Sequence, residues 1–400
     1  MKPDVETAAI SPSTTSRQAG LSLVRSTGFV SSISAIAFGL VFIIFGLWLG
    51  SSFLSVKARM LDAHANTPVL LVALALAICL IAGEFDLSVG SMVTLTAYLS
   101  VGLVVNQNWP MWLVIAASLA VGVLGGLANA LLVVVMRVNA FIATLGVGGI
   151  LLGLSRVYSG GTQLSPTGDS PQLPDWFSGS EGAFGSFQTK TPTWLVLTTL
   201  VVLVVAIAWA HAGPTISRTK RVPVLVGLAL SVAVLIIYGS SIPSSVPMTV
   251  AFLLVVTTLL WLVLRYTELG RYLYATGGNT EAARLAGVRV RAVTTGAFVT
   301  SGLLSAIGGI VLAARQGSAS PDIGVGFLLP AFAAAFLSIV IFSSGRFHVW
   351  GTVVGGLFLI FVSQGLIVGG VPFTWAEVLN GSVLVAAVSL STFFKRLSGT

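Results

Sequence analysis

Apolar residues run along this chain in long blocks separated by short polar segments. Measured against the roughly 20 residues that cross a hydrocarbon core, with shorter runs tolerated, about twelve blocks qualify. They fall near 29–50, 67–82, 87–105, 111–136, 141–158, 193–212, 222–240, 248–264, 292–314, 327–344, 349–368 and 377–394. The pattern predicts an all-α polytopic integral membrane protein of about twelve transmembrane helices. Residues 1–28 read as a polar tail, and 29–400 as a single transmembrane domain. The stretch Phe29–Gly50 is longer than a signal-peptide core and long enough to span.

Composition agrees with that reading. Hydrophobic residues make up 56% of the chain and charged residues only 8%, against roughly one quarter charged in a soluble domain. So little polar surface cannot cover a water-soluble globule of this size. The net charge of +8 raises the question of nucleic acid, but no basic stripe is interleaved with aromatics, and nucleic acid is set aside. The single cysteine, Cys79, lies in an apolar block and reads as a small packing residue.

The basic residues bear on orientation instead. With the N-terminus cytoplasmic, fifteen lysines and arginines fall inside and five outside, so both termini are expected in the cytoplasm. The longest outer loop, 159–192, is rich in Gly, Ser and Pro. The inner loop 265–291 carries five arginines.

Two acids interrupt the apolar run in AGEFDLSVGS, residues 82–91. A charged acid at a bilayer centre costs about 2.5–3.5 kcal/mol. The sixteen residues from Thr67 to Ala82 make about 24 Å of helix, which sets Glu84 and Asp86 near the inner edge. Three readings are open. Asp86 or Ser88 caps the next helix, with Gly83 and Gly90 freeing the turn. Alternatively the segment is a break lining a solute path. In the third reading the carboxylates couple ions or protons to transport.

In the inner loop, RYTELGRYLYATGGNTEAARLAGVRVR, Gly277 and Gly278 break what precedes them. Asn279 or Thr280 can cap a helix, Glu281 complements its positive end, and Gly287 suits its C-terminus. A helix of about two turns is expected, marginal on its own in water. It packs either on the protein's own rim or against a partner.

Here the sequence resembles the membrane subunit of a bacterial ABC importer, of the ribose and xylose permease family. GRYLYATGGNTEAARLAGVRV (270–290) is similar to that family's cytoplasmic coupling loop. GEFDLSVGS (83–91), FIATLG (141–146), SGLLSAIGGIVLAARQGS (301–318) and GTVVGGLFLIFVSQGL (351–366) also match. The chain departs from the family at Asn139 and Ala140, where a proline is frequent. It departs again at SSGRFHVWG (343–351), where a glycine-rich turn is frequent, and in an extra transmembrane hairpin at 193–247 that resembles the longer, xylose-type members.

The resemblance implies the ABC importer permease fold and import of a monosaccharide, a pentose such as xylose or ribose, across the bacterial cytoplasmic membrane. It implies ATPase coupling through Arg271, Gly277, Gly278, Asn279, Glu281, Ala282, Ala283, Arg284 and Gly287. The partners implied are ATP-binding cassette ATPase subunits, an extracytoplasmic sugar-binding protein and a second permease copy, within membrane lipid. Candidates for a sugar path are Asn129, Asn139, Gln316, Gln364 and Asn380, although an amide between helices also serves as interhelical glue.

No G-x-x-x-x-G-K-[ST] phosphate loop is present. ATP and Mg are therefore expected on the partner ATPase, with no cofactor bound by this chain. His64, His211 and His348 lack any metal-ligand spacing. No catalytic or metal site is expected, and the chain reads as a transport subunit rather than an enzyme. An ion- or proton-coupled secondary transporter using Glu84 and Asp86 is the alternative.

Overall fold

Proline and glycine decide where the apolar blocks become separate helices. The computed structural model describes residues 39–193 (except 169, 180 and 181), 196, 199, 245–341 and 346–398. The tail 1–28, the start of the first expected span and most of the 193–247 hairpin lie outside the described residues.

The first elements are α1 (Gly39–Leu49), α2 (Ser51–Leu54), α3 (Val56–Ala65) and α4 (Thr67–Ile81). Pro68 has no N–H to continue the ladder from α3, and its ring crowds the carbonyl four residues back. Accordingly α4 leaves α3 at 58°. Fourteen of the fifteen α4 residues are buried, as expected of a helix apolar on every side. It is the axial element, packed by the later helices Val290–Gln316, Leu328–Ile341 and Val349–Val368. Then follow α5 (Val89–Val105), α6 (Met111–Ala130, extended by a π-helical turn at Leu131–Val135), α7 (Ala140–Ser159) and the short α8 (Asp175–Ser178).

Two three-residue strands, β1 (Lys190–Pro192) and β2 (Ser245–Pro247), pair antiparallel. They bring together the two ends of the stretch that contains the expected extra hairpin. The second half comprises α9 (Met248–Tyr266), α10 (Glu268–Gly278), α11 (Thr280–Leu285), α12 (Val290–Gln316), α13 (Leu328–Ile341), α14 (Val349–Val368) and α15 (Trp375–Ser398).

Among the described residues, five helices are long and apolar enough to cross a membrane, or six if the bent pair α3–α4 is one span. The five are α6 with its π turn, α7, α9, α12 and α14. Other expected spans are apolar helices shorter than 18 residues, α5 among them. The outer surface is apolar: Leu124, Leu127, Phe141, Ile142, Ile150 and Val157 are all exposed. Such a surface suits lipid and not water. This is a multi-pass membrane protein.

Small residues let α12 lie close to its neighbours, as in other helix pairs in lipid. A Cβ on Gly302 of α12 would collide with the Gly122 carbonyl oxygen of α6 and stand 3.0 Å from Gly126 N. On the opposing surface a Cβ on Gly126 would stand 2.7 Å from Val299 Cα. Replacing Gly302 with valine should force α6 and α12 apart at a cost of about 1–3 kcal/mol. Thermal unfolding in detergent would show a lower midpoint, while Gly296→Ala, at a position with open space around it, should leave the midpoint unmoved. Equal midpoints for both variants would mean the close approach carries no stability.

Candidate functional site

The break between α4 and α5 is closed by hydrogen bonds that lipid could not supply. Gly83 takes φ +84°, a conformation costly for any residue with a Cβ. This lets Gly83 N–H donate to the Leu80 carbonyl (3.1 Å) and Glu84 N–H to the Cys79 carbonyl (2.9 Å). Leu87 N–H donates to Thr144 Oγ1 of α7 (3.0 Å).

Asp86 sits at the centre of this turn and is 1% exposed. Its Oδ1 accepts from Ser88 N–H (3.0 Å), Ser88 Oγ (2.6 Å) and Asn129 Nδ2 of α6 (3.3 Å). Its Oδ2 accepts from Ser301 Oγ of α12 (2.7 Å). Asn129 Nδ2 also donates to Ser88 Oγ (2.8 Å), while Asn129 Oδ1 is buried without a bond. Ser88 begins α5 without capping it through its side chain; the Asp86 carboxylate accepts the Ser88 amide instead. One carboxylate thus ties the break to α5, α6 and α12. Ser301 is the twelfth of 27 residues in α12, about 16 Å of rise from its start. That sets the turn level with the interior of α12.

Glu84 differs from its neighbour. It is half-buried, and no described residue bonds its carboxylate. Gly90 packs on the segment before α13, where a Cβ would stand 2.6 Å from the Gly324 carbonyl oxygen.

The arginine-rich loop meets this turn directly. Thr267 caps α10, its side chain accepting from Gly270 N–H (3.4 Å). At the far end of α10, a Cβ on Gly277 would fall on the Ile81 carbonyl oxygen, and a Cβ on Gly83 would stand 3.2 Å from Gly277 Cα. Two backbones touch here because neither residue has a side chain. Gly278 faces open space.

Asn279 Oδ1 then accepts from Ala282 N–H (2.9 Å), capping α11. The Glu281 carboxylate receives Arg284 Nε at 3.1 Å and Nη2 at 2.5 Å. The paired guanidinium holds the Glu281 carboxyl below the usual carboxylate range. Ala283 is buried, Ala282 exposed, and Leu285 is 76% exposed. Gly287, at φ +85°, turns the chain towards α12. Arg271 stands 3.5 Å from Glu268 at the protein surface.

The five amide candidates are not gathered into one place. Asn129 belongs to the Asp86 cluster. Asn139 is exposed and caps α7 through Phe141 N–H (3.0 Å). Gln316 is exposed at the end of α12, and Gln364 and Asn380 are half-buried on α14 and α15. Ser301 and Thr144 were not singled out from the sequence. A hydroxyl within an apolar helix was the only signal, and it does not say which acceptor it meets. Among the described residues no group of three His, Cys, Asp or Glu side chains could hold a metal.

Asp86→Ala would leave buried donors on Ser88 and Ser301 without their acceptor, at about 1–3 kcal/mol each, and Asn129 Nδ2 with Ser88 Oγ alone. A marked fall in the unfolding midpoint is expected for Asp86→Ala, a smaller one for Ser301→Ala, and almost none for Glu84→Ala. The Asp86→Ala, Ser301→Ala double variant should fall short of the sum of its parts, since the residues share a bond. Strict additivity would count against the shared bond.

A family model described as branched-chain amino acid transport system / permease component matches residues 63–388. The ribose import permease protein RbsC of Escherichia coli strain K12 is 29% identical over 323 residues, covering 80% of each chain. The xylose transport system permease protein XylH of Haemophilus influenzae is 28% identical over 390 residues, 93% of this chain and 99% of its own. XylH of Escherichia coli K12 is 29% identical over 346 residues, 82% of this chain and 83% of its own. No solved structure matches. The matched region takes in all of α4, the acidic turn, the arginine-rich loop and all of α12, and the chain belongs to the branched-chain amino acid transport system permease component family.

Proposed function

We propose that this chain is the permease subunit of an ABC importer that moves a monosaccharide across the bacterial cytoplasmic membrane. Family membership supports transport by a membrane component with no ATPase of its own. Sugar as the cargo is supported by the names of the relatives, which are ribose and xylose permeases. The Haemophilus relative aligns over 390 residues and 93% of this chain, so its match extends through the 193–247 stretch.

In this reading ATP-binding cassette subunits, with ATP and Mg, sit beneath the arginine-rich loop. A sugar-binding protein delivers cargo from the opposite side, and a second copy of the permease completes the path. Both termini face the cytoplasm, in accord with the positive-inside rule.

The observation that carries the coupling assignment is the backbone contact of Gly277 with Ile81 and Gly83. Alone, the six-residue α11 is too short to be stable. It is held by Asn279, by the Thr280 hydroxyl bond to the Thr276 carbonyl (3.0 Å) and by buried Ala283. A push on exposed Leu285 would travel through α10 to Gly277 and from there to the break between α4 and α5. In the ion-coupled alternative only Glu84 would be available to titrate, because the Asp86 carboxylate already accepts four hydrogen bonds.

Purification in mild detergent followed by identification of co-eluting chains tests the reading. An ATP-binding chain should co-elute, and altering 279–287 should release it. Gly277→Leu should keep that partner but reduce ATP-driven sugar uptake in vesicles at least tenfold. Uptake at the wild-type rate would remove the Gly277 contact from the coupling route. Proton-dependent uptake by the protein alone, without ATP, would replace the importer reading altogether.

A further inference from the structure

A cleft of about 500 Å³ opens beside α10, away from α11. Arg265, Arg271 and Arg346 line it together with Trp261, Tyr274 and His348. We infer that this cleft binds the headgroup of an anionic phospholipid, its arginines gripping the phosphodiester and its apolar wall meeting the glycerol backbone.

Charge is the first reason. Three guanidiniums converge on one cleft, and among the described residues Arg265 has no acidic partner within ion-pair distance. Arg271 meets Glu268 only at 3.5 Å, and both are largely exposed. The Arg265 charge is felt within the cleft, where it adds to burial in pushing the His348 pKa below its usual value. Guanidinium forks match phosphate oxygens in pairs, which a lone ammonium does not.

Depth is the second reason. Arg265 stands in the last turn of the spanning helix α9, and Arg346 stands three residues before the spanning helix α14 begins. Two spans therefore end at the cleft, which places it at headgroup height. Trp261 is one helical turn deeper than Arg265, in the position typical of an interfacial aromatic. The walls are already fixed: the Tyr274 hydroxyl donates to the Phe347 carbonyl (3.1 Å), and His348 Nδ1 accepts from Gly351 N–H (3.2 Å). No residue of α11 lines the cleft, so a lipid held there would leave α11 exposed.

The test is native mass spectrometry of the detergent-purified protein with palmitoyl-oleoyl phosphatidylglycerol and, separately, the matching phosphatidylcholine. Wild-type protein should retain the anionic lipid in preference. An Arg265→Ala, Arg271→Ala variant should lose that preference, since each basic side chain near an anionic lipid surface is worth about fivefold in affinity, roughly thirtyfold for two. Arg289→Ala, Arg291→Ala removes the same charge from the same loop, away from the cleft, and should retain the lipid. Equal retention of the two lipids by wild type, or equal loss in both variants, would overturn the proposal. Full displacement by inorganic phosphate at millimolar concentration would assign the cleft to a free anion instead. Loss of the lipid on assembly with ATP-binding subunits, an arm that rests on the importer reading, would assign it to a protein contact.

Discussion

Inside a bilayer no water is available to satisfy a broken helix, so every backbone group released by a turn must find a partner in the protein. The break between α4 and α5 meets this requirement at one carboxylate. Asp86 accepts the Ser88 amide and hydroxyl, the Asn129 amide and the Ser301 hydroxyl, and so ties three helices to a single point. Buried charge of this kind is costly unless it is fully hydrogen-bonded. Here four donors surround it, and the geometry of the bundle around the turn follows from their positions.

Close helix approach makes that cluster attainable. Gly122, Gly126 and Gly302 bring α6 and α12 to backbone contact, and Gly309 does the same for α12 against Val93 and Ala97 of α5. Bulkier residues would hold the helices apart, and a short serine side chain on α12 could not then reach Asp86. Packing and hydrogen bonding are two parts of one arrangement: glycines set the spacing, and the carboxylate sets the rotation and height of each helix.

The same economy of side chains links the core to the arginine-rich loop. Gly277 and Gly83 meet backbone to backbone, and a contact between two main chains has no rotamers to absorb movement. Displacement of α10 would therefore be passed on to the turn. Polar surface gathers at this end of the molecule, in the Glu281–Arg284 pair and the arginines of the cleft, while the flanks of α6 and α7 remain apolar.

The membrane class, the helical blocks, a helix cap at Asn279 or Thr280 and the break at the acidic turn could all be read from the sequence. These properties are local: transfer into lipid is a sum over neighbouring residues, and a cap acts within one helical turn. Much of the family resemblance could be read for the same reason, since its motifs are contiguous. The partners of Asp86 were beyond such a reading. Ser301 lies 215 residues away, and Asn129 looked equally suited to a sugar path. Which hydroxyl or amide faces a carboxylate depends on how two helices are rotated and how far one is slid along the other, and no local pattern encodes either. The meeting of Gly277 with Ile81 was hidden likewise, because a glycine in a sequence marks freedom of the backbone or closeness of a neighbour, and only the assembled bundle shows which.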